Sequence, residues 1–255
     1  MGLRTKIRKL LYLSKFSKKH TSLKINKKNI LVTGANSGIG LSLTKKLLEL
    51  DNYVLATYRE SQSNLKNIDN KNLTLVKYDQ KKIEYSNELK EKLIDRSIDI
   101  IFNCAGVFGG SFEEQKIENL DFKNFQEVLM INAISTLNII QMILNNKSTQ
   151  KNIELLVNVS SDAGSIKLNN QGNAYIYRTS KSALNSLTKN MSIDLNNRFK
   201  TIVFAIDPGN VKSGMNSKGF MEADDCAKLI ISLASKNQES LNGKFINLQG
   251  KEIAW

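Results

Sequence analysis

The feature that most restricts the fold of this chain is an alternation, repeated along its length, between short apolar runs and longer polar or amphipathic segments. The runs are "NILVT" (29–33), "YVLAT" (53–57), "LTLVKY" (73–78), "IDIIFN" (98–103), "IELLVNV" (153–159), "TIVFAI" (201–206) and "KFINL" (244–248). Such short stretches, dense in Ile, Val and Leu, suit strands covered on both faces. Between them, helical spacing is legible at "IGLSLTKKLLEL", at "YSNELKEKLID", from about Asp121 to Asn145, from about Asn173 to Leu195 and from about Glu222 to Ser235. The second run is followed only by a short polar link. Strands separated by helices cannot close as hairpins, so the pattern predicts a doubly wound α/β fold, a parallel sheet of about seven strands with helices on both faces. No internal repeat and no break in composition after residue 28 marks a second unit, which predicts a basic extension, 1–28, and one domain, 29–255.

Composition excludes several function classes. Hydrophobic residues at 41% and charged residues at 24% belong to a globular chain rather than a disordered one. No apolar run approaches the roughly 18 residues of a membrane span. The two cysteines, Cys104 and Cys226, have neither metal-ligand spacing nor a disulfide framework, so a reducing, cytoplasmic setting is the default. His20 is the single histidine, which leaves no histidine-based triad and no metal site. The net charge of +13 is concentrated in the extension, where residues 1–28 hold ten Lys or Arg and no acid; the remainder has 27 basic against 24 acidic residues, or +3. No nucleic-acid site follows from that balance. Leu3, Ile7, Leu10 and Leu11 fall within about 100° of arc on a helix, among Arg4, Lys6, Arg8 and Lys9. A segment of this kind can lie on an anionic membrane surface, with an organelle transit peptide or a loosely ordered extension as the alternatives.

The first strand runs directly into "TGANSGIG" (33–40). Gly34 can make a tight turn, Gly38 lets a diphosphate approach the backbone, and Gly40 lets the following helix pack closely on the strand. The helix N-terminus then offers free N–H groups to phosphates, which makes this a Rossmann-type dinucleotide turn with Asn36, Ser37 and Ile39 among its contacts. The second strand ends "ATYRE", placing Arg59 where an NAD-binding fold usually presents an acid to the ribose. A guanidinium there pairs with a 2′-phosphate, so NADP(H) is expected, although Glu60 follows at once and leaves the register open by one residue. Asp79, ending the third strand, is a candidate adenine contact or a plain surface aspartate.

In "AYIYRTSK", 174–181, helical geometry puts Tyr177 and Lys181 one turn apart on one face. Tyr175 leaves that face and is expected to line the pocket or pack beneath it. A reactive phenol in this stretch should therefore be Tyr177.

Taken in order, TGxxxGIG at 33–40, "NCAG" at 103–106, Asn132 in "MINAIST", "NVSS" at 158–161, YxxxK at 177–181 and "PGNVKS" at 208–213 make the chain resemble the short-chain dehydrogenase/reductase family over about residues 28 to 255. The segments "AGSI", "NQGNAYIYRTSKSALN" and "GKEIAW" look more specifically like its C-factor and sniffer-type carbonyl reductases. The resemblance implies an NADP(H)-dependent oxidoreductase for a small carbonyl or alcohol, forming a homodimer or homotetramer through its long central helices. It implies Tyr177 as general acid or base, Lys181 and the oxidised nicotinamide as stabilisers of its phenolate, and Ser161 as donor to the substrate oxygen, with Ser160 as fallback. Asn132 would hold a water linking Lys181 to solvent; alternatively it is a helix residue bonded to backbone. Asn103, Ala105 and Gly106, Tyr177 and Lys181, and Pro208, Gly209, Val211 and Ser213 would contact the coenzyme.

Some residues depart from the family pattern. Ser161 stands a few residues farther from the tyrosine than in many relatives, the excess falling in the loop-like "KLNNQGN"; Cys104 occupies a position next to the coenzyme where a packing role is expected; Ser213 replaces the usual Thr. A coenzyme-binding regulatory protein with little turnover is the competing reading, and an epimerase or dehydratase a third.

Overall fold

The computed structural model describes residues 9, 12–14, 24–82, 87–146, 153–236 and 239–255. The seven apolar runs form seven strands: β1 Asn29–Thr33, β2 Tyr53–Tyr58, β3 Leu73–Lys77, β4 Ile100–Asn103, β5 Leu155–Val159, β6 Ile202–Asp207 and β7 Phe245–Asn247. They make one sheet in the order β3-β2-β1-β4-β5-β6-β7, each neighbouring pair parallel. The helices are α1 Gly38–Glu49, α2 Asn87–Asp95, α3 Phe122–Leu129, α4 Ser135–Leu144, α5 Tyr175–Phe199 and α6 Ala223–Ala234. The polar link after β2 holds a single 3-10 turn, Ser63–Asn67, in place of a crossover helix.

Strand alternation sorts the core into two halves. Ile30, Val32, Val54, Ala56, Phe102 and Phe204 point to the side packed by α1 and α6, with Leu43, Leu47, Ile230 and Ile231. Their neighbours Leu31, Leu55, Ile101, Leu156 and Val203 point to the other side, against Leu89 and Leu93 of α2, Ile139 and Ile143 of α4 and Met191 and Leu195 of α5. The inner strands β1, β4 and β5 are thus buried on both faces, which is why their runs are so apolar, whereas the edge strand β3 is half-buried and carries Thr74 and the exposed Lys77.

α3 and α4 are one helical stretch interrupted by a π turn, Met130–Ile134. By length and apolarity Phe122–Leu144 meets the criterion for a membrane span, contrary to the reading from apolar runs, because Asn132, Ser135, Thr136 and Asn138 break the run without breaking the helix. Here its buried face packs on the sheet. The expected amphipathic face at Leu3, Ile7, Leu10 and Leu11 lies outside the described residues. Lys9 and residues 12–14 are helical.

Candidate functional site

The strand order reverses between β1 and β4, and a cleft of about 810 Å³ opens at the C-terminal ends of the strands on that line. Gly34 and residues 36–40, Arg59, Ala105, Gly106, Ser161, Tyr177, Lys181, Pro208, Gly209, Val211 and Ser213 all line it. Sites more than 170 residues apart in sequence are therefore brought into one space (Gly34 to Ser213), as the motif reading anticipated.

At Gly34 and Gly40 the turn after β1 has no room for a side chain. Gly34 takes φ +62°, and a Cβ there would lie 2.8 Å from the Ala105 Cα; a Cβ on Gly40 would run into the Gly34 carbonyl. Thr33 Oγ1 accepts the Cys104 and Ala105 N–H groups at 3.0 and 3.1 Å, which ties the loops after β1 and β4 together. At the N-cap of α1, the Ser37 side chain makes no capping bond. The first N–H groups of the helix thus face the cleft without a side-chain acceptor in front of them, a setting that favours an anion.

Three expected contacts are placed elsewhere. Asp79 turns into its own loop, where its carboxylate accepts the Lys81 N–H at 3.1 Å. The next residue, Gln80, lines the cleft instead, and its buried Nε2 has no hydrogen-bond partner. Asn103 is spent beneath the floor: it accepts from Thr33 Oγ1 at 2.9 Å and donates to Thr136 Oγ1 at 2.6 Å and Asn158 Oδ1 at 3.0 Å. Asn132, fully buried in the π turn, clamps the Val107 peptide, accepting its N–H at 2.8 Å and donating to its carbonyl at 2.9 Å, with a further bond to Ser180 Oγ at 2.9 Å. Its amide is bonded to backbone, as the alternative for this residue had it. Arg59 does reach the cleft, 3.1 Å from Glu60, which lines it too.

At the other end of the cleft stands Tyr177. Its ring packs on Phe108 with centroids 5.0 Å apart, and Ser161, whose Oγ donates to Asp162 Oδ1 and accepts the Ala163 N–H, both at 3.2 Å, is the neighbour that favours its phenolate. Lys181 Nζ lies 5.8 Å from the Tyr177 ring and donates to the Val159 carbonyl at 2.9 Å. Ser160 also lines the cleft, but its hydroxyl is engaged with Asn185 Oδ1 at 2.7 Å, which leaves Ser161 as the serine that acts on the Tyr177 phenol. Tyr175 is 41% exposed and neither lines the cleft nor packs beneath it; the left-handed backbone at Asn173 and Ala174 (φ 54° and 49°) starts α5 with that side chain outward.

Burial dominates the electrostatics. It pushes the Tyr177 phenol up to about 12, against the lowering by Ser161 and with a further push from Asp207 and Asp162. It also brings Lys181 down to about 8. Lys181 is not among the groups that set the Tyr177 phenol here; burial, Ser161, Asp207 and Asp162 are. Asp207, ending β6, is raised to about 6 by burial and then by Asp162. Cys104 is held at about 12 by burial, a protonated packing group at neutral pH.

One residue of the site has no signal in the sequence. Gln115 is fully buried in the segment between β4 and α3; its Oε1 accepts the Tyr177 N–H at 2.9 Å and its Nε2 donates to the Phe108 carbonyl at 2.9 Å. It caps the start of α5 and fixes the two rings against each other. On the far side, the C-terminus closes over the loop that follows Ser161: Ser165 Oγ donates to the Ala254 carbonyl at 2.6 Å, and Trp255 stacks on Phe245 at 5.7 Å.

Comparison with known proteins agrees with this geometry. The family model for short chain dehydrogenases matches residues 28–223. The C-signal protein of Myxococcus xanthus is 29% identical over 160 residues, covering 62% of this chain and 93% of that protein. The structure of the carbonyl reductase Sniffer of D. melanogaster superimposes with a TM-score of 0.79 at 27% identity, covering 91% of this chain and all of that one. The NADPH-bound carbonyl reductase from chicken fatty liver gives a TM-score of 0.78 at 28% identity, covering 91% and 96%.

Proposed function

The chain belongs to the short-chain dehydrogenase family of oxidoreductases, and on that premise we propose that it is an NADP(H)-dependent reductase of small aldehydes or ketones. The observation that carries the reading is the convergence of Ser161, Tyr177 and Lys181 in the cleft that the glycine turn also lines. A binding protein needs the turn alone, which is why the regulatory alternative is set aside.

The residues present fit a dinucleotide phosphate. The crowded glycine turn and the uncapped α1 suit a diphosphate, Arg59 offers a guanidinium for a 2′-phosphate, and the unpartnered Gln80 amide offers a buried donor to a ring acceptor. When bound, NADPH supplies the hydride. The chain's own groups then handle the carbonyl oxygen. Ser161 donates to it as negative charge develops. Tyr177, with its pKa at about 12, stays protonated at neutral pH and suits the acid's task in reduction better than the base's task in oxidation. Lys181, with its pKa at about 8, is mainly an ammonium at pH 7 and stabilises the phenolate that the proton transfer leaves. Asn132 acts at one remove, by holding the Val107 peptide beside Gly106, whose added Cβ would sit 3.4 Å from Lys181 Nζ. The wall of Phe108 and Phe112 (centroids 4.9 Å apart) next to Tyr177 favours an apolar or aromatic carbonyl.

The exposed apolar row Ile134, Leu137 and Leu144, at helical spacing along the central stretch, supports pairing of copies through that face. The functional reading is tested by NADPH oxidation with a panel of aliphatic and aromatic carbonyls. Turnover with NADPH well above NADH is expected. Tight coenzyme binding with no turnover on any carbonyl would put the regulatory reading in its place.

A further inference from the structure

The described part of the N-terminal extension packs on the neck of the loop that follows β6. The Asn210 N–H donates to the Tyr12 hydroxyl at 2.8 Å. The Tyr12 ring stands edge-on to Phe220 with centroids 5.9 Å apart. Lys9 Nζ comes within 3.9 Å of Glu222, which Lys212 also approaches at 3.9 Å. Tyr12 and Leu13 lie against the core cluster that contains Val211, Met221 and Cys226. Burial, the largest influence, raises the Tyr12 phenol, so its hydroxyl is uncharged at neutral pH.

The loop itself is pinched where Tyr12 touches it. Lys212 N–H donates to the Met221 carbonyl at 2.8 Å, and the Phe220 and Met221 N–H groups both reach the Asn210 carbonyl, at 2.9 and 3.1 Å. Beyond this neck, residues 213–216 line the cleft. At the foot of the neck, Gly209 adopts φ +68°, and a Cβ there would collide with the Tyr12 hydroxyl. The Gly209–Asn210 peptide is therefore bonded on its N–H side by a residue about 200 positions away (|i−j| = 198). That peptide immediately precedes Val211 and Ser213.

We propose that Tyr12 is a positioning residue for the coenzyme: it fixes the Gly209–Asn210 peptide from outside the cleft, and through it the loop that holds NADP(H). The inference rests on the reading that Pro208–Ser213 contacts the coenzyme. It makes the basic extension part of the site's machinery.

The test uses the full-length protein and Tyr12→Phe. That substitution keeps the ring against Phe220 and removes the hydroxyl, and with it the acceptor of the Asn210 N–H. Three readouts are compared: NADPH dissociation constant, steady-state kinetics with an apolar aldehyde, and coenzyme-free Tm. One neutral hydrogen bond corresponds to about a two- to tenfold change in affinity. The dissociation constant and KM for NADPH should rise by that factor, while the aldehyde KM and kcat stay near wild type and the coenzyme-free Tm falls by no more than the few degrees that one hydrogen bond is worth. NADPH affinity within twofold of wild type would overturn the proposal. So would a lower Tm with NADPH and aldehyde affected alike, since that is packing rather than positioning. Wild-type binding is measured first: failure of the wild type to bind NADPH would overturn the functional reading and this inference together, whereas normal wild-type binding with an indifferent variant would overturn this inference alone.

Discussion

Replacing Lys181 by methionine keeps the reach of the side chain and removes its charge, so it pulls catalysis and stability in opposite directions. Burial lowers the lysine from 10.5 to about 8. A group with that shift costs the fold about 3 kcal/mol at pH 7, where it must be charged in a place that disfavours charge. Methionine removes that cost but leaves the Val159 carbonyl without its 2.9 Å donor, a loss of about 1–3 kcal/mol. The variant should thus be between equal to wild type and about 2 kcal/mol more stable, with a Tm unchanged to about 6 °C higher. The sign of the pH dependence follows: between about pH 8 and 10.5 the unfolded chain still holds the proton that the folded lysine has lost, so wild-type stability gains from this group as pH rises, and the variant lacks that gain. Activity should move the other way. An ammonium 5.8 Å from the Tyr177 ring stabilises phenolate by about 3 kcal/mol at an effective dielectric constant of about 20, roughly a hundredfold in rate. Wild-type kcat/KM for carbonyl reduction should fall as pH rises through about 8, and the variant should lack that limb. NADPH oxidation against pH and thermal melts over the same range are the assays. Activity within a few-fold of wild type with the same alkaline limb would refute the role given to Lys181; equal losses of Tm and activity would make it a scaffold residue.

Tyr177→Phe should lower kcat by about 10²- to 10⁴-fold with NADPH affinity retained, whereas the exposed Tyr175 should tolerate the same change with less than a twofold effect; the opposite ranking would reverse the assignment. Arg59→Ala should weaken NADPH by about ten- to a hundredfold and NADH little, in direct binding titrations; an equal loss for both would make Arg59 a partner of Glu60 only. Asp207→Asn should stabilise the protein by up to about 3 kcal/mol above pH 6 and not at all below about pH 4, because the buried carboxyl ionises at about 6 when folded and near 3.8 when unfolded, so the cost of its charge appears only as pH rises; thermal melts across that range check it.

How much of this was legible in the sequence depends on the range of the interactions concerned. The inner strands were readable because burial on both faces leaves an unbroken apolar run, and β1 begins and ends where "NILVT" does. The Tyr177–Lys181 face follows from one turn of helix. Where a choice between adjacent residues depends on a local side-chain bond, reading by position failed: Asp79 closes its own turn through Lys81, and that leaves Gln80 to face the cleft. Asn103 failed for a related reason, since a polar residue at a strand end can serve the site or the floor, and Thr33, Thr136 and Asn158 decide for the floor. Gln115 was invisible because its partner is 62 residues away, and Tyr12 because its partner is 198 away. The environment of the Tyr177 phenol is long-range in the same way: the burial that raises it most, and the smaller push from Asp207 and Asp162, exist only once the chain is folded.

These long-range bonds divide the site into two mechanical classes. Lys181, Asn132 and Gln115 each bond to main chain at the edge of the sheet or in the segment just beyond β4, through Val159, Val107 and Phe108. Lys181 is held by the last residue of β5, and Asn132 and Gln115 hold the segment that leaves β4, so all three are anchored close to the central strands. The loop beyond β6 is built differently: Asn210, Lys212, Phe220 and Met221 bond mainly within the loop, and Tyr12 holds it from outside. A perturbation in the first class must distort the sheet edge or remove the chemistry, and should appear in turnover. A perturbation in the second changes only how well a self-contained loop is held against the cleft, and should appear in coenzyme retention. The two classes meet at Asp207, whose carboxylate accepts the Gly209 N–H at 3.0 Å while its charge bears on Tyr177. Asp207 is therefore the residue through which loop position and the acidity of the phenol can be felt together, and its neutral variant should move both.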